Sequence, residues 1–268
     1  LVELLVVALT LAALIGLTVA PALGRTQVNA EAQACRQNLR QLAAAWTLYA
    51  ADNNGAVVEN VQGGEAIGGS GFNTRAAWAF GWVDWTLATD NTNTLLVASP
   101  KYSRLADYLG REAKVFRCPA DRFLSSAQVA RGWKFRARSY SSPMNIGIGQ
   151  NLGPLDPMYR QVRSVHDLIY PNPSDTMVFL EEHPDSINDT SFASPRISGF
   201  VDVPASFHQG GMNMAMADGA VRGVVWTGSL ATEAAQRVRF SFVTPPTTAN
   251  DPDARMLRYH TPRVSSAY

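Results

Sequence analysis

Five side chains able to ligate a metal or move a proton fall in two short stretches of the chain, Glu181-Glu182-His183 and His208 with Asp218. Carboxylate oxygens and imidazole nitrogens bind borderline cations, and the same groups run general acid–base steps. If a sheet brings His208 beside the glutamates, they form an oxygen-and-nitrogen metal site. The neighbouring sequence also offers a plainer role. Met212, Met214 and Met216 alternate with Asn213, Ala215 and Ala217, then Asp218-Gly219 precedes Ala220 to Trp226. That pattern is a β-hairpin, whose two-residue turn needs positive φ at both central positions. His208 then reads first as a buried imidazole tying a strand to a neighbouring loop. Asp185, Asn188 and Asp189 could hold Ca²⁺ in a loop, although the spacing of an EF-hand is missing. Ca²⁺ is the only cofactor the sequence leaves open. No Ser-His-Asp order, H-E-x-x-H helix or nucleotide fingerprint occurs, so no catalytic residue is assigned and the chain reads as a non-enzyme.

The two cysteines, Cys35 and Cys118, lack metal-site spacing. Cys35 falls on the apolar stripe of a helix and Cys118 ends an expected strand. Outside the reducing cytoplasm a disulfide between them is available, closing a loop worth about 4–5 kcal/mol in the chain-entropy account. Two unpaired buried thiols are the alternative.

The longest element expected to position these groups is N-terminal. Glu3 is the only charge before Arg25, in a run that continues uncharged from Leu4 to Leu23. As a helix this run covers about 30 Å, the thickness of a bilayer core, so residues 1–24 are expected to be a single membrane-crossing or filament-core segment. A cleavable signal peptide would have basic residues first and a shorter apolar core. A buried core helix would not need to be apolar all round. The missing initiating Met suggests a removed leader or absent first residues. A carboxylate at the mouth of such a segment needs a neutralising partner.

Beyond it, Val28, Ala32, Cys35, Leu39, Leu42, Trp46 and Tyr49 recur at alternating steps of four and three residues. This is one stripe of an amphipathic helix over residues 25–54, ending at Asp52-Asn53-Asn54-Gly55. Pro21 places a kink near residues 17–24. Residues 55–268 then make a globular body with a loop-rich tail from about 240. Strands are expected at Trp78–Leu87, Val115–Cys118, Ser139–Ile148 and Thr176–Glu181, and a short helix over Leu230–Val238. Asn60 to Asn73 reads as a glycine-rich surface loop. The net charge of +1 gives no footprint for nucleic acid, and Arg131, Lys134, Arg136 and Arg138 read as a solvated face. Trp78, Phe80, Trp82 and Trp85 are either one packed face or an exposed platform for a glycan.

Leu1-Val2-Glu3-Leu4-Leu5-Val6-Val7 resembles the N-terminal signature of type IV pilins and type II secretion pseudopilins, lacking the first two mature residues. His208, nine intervening residues and Asp218-Gly219 resemble the H-x9-DG domain of pilin-like proteins of the Planctomycetes and Verrucomicrobia type. Cys35-Arg36-Gln37-Asn38-Leu39-Arg40-Gln41-Leu42, Tyr49 to Gly55 and Phe116-Arg117-Cys118-Pro119 are similar to the same group. The resemblance implies an α+β, pilin-like fold in which a long N-terminal helix packs on an antiparallel sheet with loop-rich insertions. It implies a subunit that polymerises with itself through Glu3, Leu4, Leu5, Val6, Val7, Leu11, Leu14 and Pro21. Glu3 then neutralises the N-terminal amine of a neighbour. The implied setting is an extracellular filament or cell surface, reached from the inner membrane by pilus or type II secretion machinery. A membrane-anchored glycan-binding module is the alternative, and a periplasmic metal-dependent enzyme a remote one.

Overall fold

The computed structural model describes residues 29–67, 77–147, 157–232, 245 and 247–266. The assembly residues Glu3 to Pro21, with the expected kink, lie outside them. Helix α1 (29–52) packs on a five-stranded sheet of β1 (Tyr140–Pro143), β2 (Met177–Glu181), β3 (Ser191–Phe192), β4 (Gly211–Met216) and β5 (Val221–Val225). The strand order is β3-β1-β2-β4-β5; every pairing is antiparallel except β1 with β3. The architecture is therefore α+β, with a long helix on a mostly antiparallel sheet and loop-rich regions between. Helices α2 (Leu95–Ala98) and α3 (Ser126–Ala130) are short, and α4 (Pro252–His260) comes late in the chain.

The stripe on α1 is the buried one. Cys35, Leu39, Leu42 and Trp46 are at most 2% exposed, while Leu48 on the opposite face is 52% exposed. The helix stops as its sequence dictates: Asn54 takes φ +55°, and the Gly55 amide bonds back to the Ala50 carbonyl, a Schellman-type end. No helix among the described residues is long and apolar enough to cross a membrane.

Strands β1 to β4 are buried on both faces, while the edge strand β5 is partly exposed. On the α1 side lie Trp78, Phe116, Tyr140, Val178, Phe179 and Ala215. Beneath it Met177, Leu180, Met212, Met214 and Met216 pack with Trp226, Ala254 and Leu257. The alternation expected of β4 is thus present, its methionines turned away from α1. In β2 the pairing register shifts between Met177 and Phe179. Past that bulge, Phe179 and Glu181 face α1, and Leu180 and Glu182 face away.

Several expectations are corrected. The tail is not loop throughout, because α4 buries Ala254 and Leu257 in the second core. Its start is fixed by Asp251, whose carboxylate accepts the amides of Asp253 and Ala254, with Pro252 in the first turn. Trp78–Leu87 is not a strand: the Asp90, Asn91 and Asp84 side chains accept the amides of Trp82, Asp84 and Thr86 that a ladder would have used. Val115–Cys118 is replaced by a 3₁₀ turn at Ala113–Phe116. Arg136 and Arg138 are buried rather than solvated. The Arg138 guanidinium donates to the carbonyls of Tyr140, Gly81, Asn188 and Asp189. Trp78, Phe80 and Trp85 are also buried, Trp78 stacked on Phe116, so they form no exposed platform.

Candidate functional site

At the end of β2 nearest α1, four side chains from four separate segments meet. Cys35 Sγ, Cys118 Sγ, a Glu181 carboxylate oxygen and a His208 ring nitrogen all lie within 4.8 Å of one another.

Each is placed by a local device. Cys35 comes with the buried stripe of α1. Cys118 follows the 3₁₀ turn at Ala113–Phe116, which α1 holds through Asn38: its amide donates to the carbonyls of Arg117 at 2.9 Å and Lys114 at 3.4 Å. Glu181 is directed toward α1 by the register past the bulge and pairs across the ladder with Tyr140. His208 sits in a tight turn closed by its own amide on the Gly211 carbonyl at 3.0 Å, with Gln209 and Gly210 at φ +56° and +79°.

Glu181 is the hub. Its Oε1 accepts the Cys35 thiol at 2.6 Å and meets His208 Nε2 at 2.8 Å. Its Oε2 accepts the Asn213 amide. Cys118 Sγ lies 3.4 Å from the same imidazole nitrogen, and the Tyr140 hydroxyl 3.1 Å from Cys35 Sγ. Arg36 Nε donates to the Asn213 side-chain oxygen at 3.0 Å, locking α1 to β4 beside the cluster. Glu181 and both cysteines are fully buried; the His208 side chain is 10% exposed.

Burial opposes charge on the imidazole, but hydrogen bonding to Cys35 and Glu181 and the attraction of nearby negative charge outweigh it, and His208 is pushed up to about 10. Burial first, then Cys35 and Glu181, drives the Cys118 thiol well upward. The Tyr140 hydroxyl is raised the same way, by burial and by Cys35, Cys118 and Glu181.

Of the residues singled out from sequence, the structure unites His208 and Glu181 with Cys35 and Cys118, and separates the others. Both cysteines are free thiols; the expected pairing partners are neighbours, without a sulfur–sulfur bond. Glu182 points to the opposite face, where its carboxylate accepts the Ser186 and Ser141 hydroxyls. His183 Nδ1 accepts the Asp185 amide. Asp218 and Gly219 lie at the far end of β4, about 20 Å of strand from His208. The spacing in H-x9-DG therefore measures the length of a hairpin strand, not an interacting pair. The turn also differs from expectation: only Gly219 has positive φ, +88°, in a three-residue loop over 217–219 closed by the Met216 amide on the Ala220 carbonyl. Asp218 caps that loop by accepting the Ala220 amide at 2.9 Å. The oxygens suggested for Ca²⁺ are engaged within the protein: Asp185 accepts Trp85 Nε1, and Asp189 accepts the Gly63 and Ser191 amides.

What sequence reasoning missed is that the motifs Cys35 to Leu42, Phe116 to Pro119 and His208 to Gly219 serve one place. The signal was present in Asn38, Arg36 and Asn213, whose polar side chains bind the segments that carry the four groups. Comparisons with models of known protein families, with characterised proteins and with solved structures returned no match.

Proposed function

We propose that this chain is a non-enzymatic structural subunit of an extracellular, type IV pilus-like or pseudopilus filament. The observation that carries the reading is α1. It holds one buried face on a mostly antiparallel sheet, and its sequence is preceded by the uncharged run from Leu4 to Leu23. A segment that is apolar all round must be covered by lipid or by copies of itself. In this reading the subunit waits in the inner membrane, is drawn out by pilus or type II secretion machinery, and joins a helical homopolymer through Glu3, Leu4, Leu5, Val6, Val7, Leu11, Leu14 and Pro21. Glu3 sets the register by meeting a positive charge on the neighbouring subunit; with both groups desolvated, losing one leaves an unpaired charge costing roughly 3–5 kcal/mol.

The test is filament yield, by electron microscopy of native surface material, in the parent and in Glu3→Ala. The expected outcome is filaments from the parent and few or none from the variant at equal subunit level. Filaments of unchanged abundance in the variant would remove the register argument, and monodisperse particles from both would remove the filament reading.

A further inference from the structure

We propose that Cys35, Cys118, Glu181 and His208 form a structural Zn²⁺ site that rivets the long helix to the head. Two thiolates, one imidazole and one carboxylate are a donor set suited to Zn²⁺, and four protein ligands with no open position mark a structural rather than a catalytic centre. A tetrahedral ion with bonds of about 2.0–2.3 Å needs its ligand atoms about 3.3–3.8 Å apart. The separations are 2.6 Å and 2.8 Å at Glu181 and 3.4 Å between Cys118 and His208, with none above 4.8 Å. Side-chain movements of about 1 Å or less convert one arrangement into the other.

Three further observations fit a ligand cage. First, the outer groups are in place: the Asn213 amide fixes the free carboxylate oxygen of Glu181, Tyr140 meets Cys35 Sγ, and Arg36 fixes Asn213. Such contacts orient ligands and set affinity. Second, an ion has a way in. A cleft of about 410 Å³, bordered by Ala32, Arg36, Met212, Asn213 and Val224, opens beside His208. Third, a disulfide would use two of the four groups and give no reason for a fully buried glutamate and a histidine to converge on the same sulfurs. Binding exchanges three protons for Zn²⁺, one from each thiol and one from the His208 imidazolium, all leaving to solvent, and His208 ligates as the neutral imidazole. The loaded site carries a single net negative charge.

The experiment uses the full chain, purified reduced and stripped of metal, and loaded with Zn²⁺ or Co²⁺ alone. One Zn²⁺ per chain by mass spectrometry is expected. The Co²⁺ form should show the intense near-ultraviolet thiolate-to-metal absorption and visible bands of a tetrahedral site. Cys118→Ser and His208→Ala should lose the metal, and Tyr140→Phe should hold it with about 10-fold weaker affinity. If the variants fail to fold, the Co²⁺ spectrum of the parent chain decides alone. A folded, reduced parent chain that takes up neither ion overturns the proposal, as does a Cys35–Cys118 disulfide found by peptide mapping of natively exported protein. Neither result bears on filament assembly, which is read separately through Glu3.

Discussion

Gly211 offers a graded test of how the H-x9-DG segment works. It pairs with Val225 across the β4–β5 ladder. A Cβ added there would stand 1.8 Å from the Val224 carbonyl oxygen, 2.8 Å from its carbon and 2.9 Å from Val225 Cα. All three are backbone atoms that no rotamer change can clear. Ordinary contact begins near 3.4 Å, so β5 has to retreat by about 1.6 Å in Gly211→Ala. Overpacking of this kind costs about 1–3 kcal/mol. The displacement also loosens the amide of Trp226 on the Gly210 carbonyl, adding about 1 kcal/mol for a weakened bond. The expected loss is about 2–4 kcal/mol. Gly219→Ala is the control in the same motif: its φ is +88° but nothing lies within 4 Å of the new atom. It should cost only the backbone strain, about 1–2 kcal/mol. Urea unfolding of both variants, followed by circular dichroism and tryptophan fluorescence, measures the difference. A loss in Gly211→Ala equal to or smaller than that in Gly219→Ala would refute close strand approach as the reason for glycine at 211.

Leu39→Ala, deleting a fully buried side chain where α1 meets the main core, should destabilise the fold by about 3–4 kcal/mol, whereas Leu48→Ala on the exposed face should change it by less than about 0.5 kcal/mol; similar losses would mean that α1 is not docked by this stripe. Glu182→Gln should show a pH-dependent gain. Burial first, then the charge of Asp202, raises the Glu182 carboxyl well above its usual range against the pull of Ser141, Ser186 and Arg138. Above about pH 4.3 the unfolded chain ionises at this position while the folded chain keeps its proton, so stability falls as pH rises toward the folded pKa. The variant should match the parent near pH 4 and exceed it increasingly toward pH 8; parallel stability curves would show that Glu182 does not titrate this way.

The parts legible from sequence are those whose information is local. The three-and-four spacing from Ala32 to Tyr49 fixed both the helix and its buried face, and alternating methionines marked β4 with its hairpin partner. The four-residue cluster was hidden because its members are far apart in the chain and meet only through β2, whose bulge decides which face Glu181 takes. Local chemistry also overruled pattern: the alternating aromatics from Trp78 to Trp82 resemble a strand, but Asp84, Asp90 and Asn91 capture the neighbouring amides and fold the segment into a loop. Helix α4 was missed although Asp251-Pro252 is a helix-start pair, because the surrounding Pro, Thr and Asn masked it.

The convergence of Cys35, Cys118, Glu181 and His208 joins four distant parts of the chain at one point. Cys35 belongs to α1 and His208 to the turn before β4, so the cluster needs the chain through residue 208 to be complete. Synthesised from its N-terminus, the chain presents Cys35 first, then Cys118 and Glu181, and His208 last of the four. A subunit in which these four groups have met has its helix, its loops and its sheet in register. One truncated before residue 208 has no means of closing that joint.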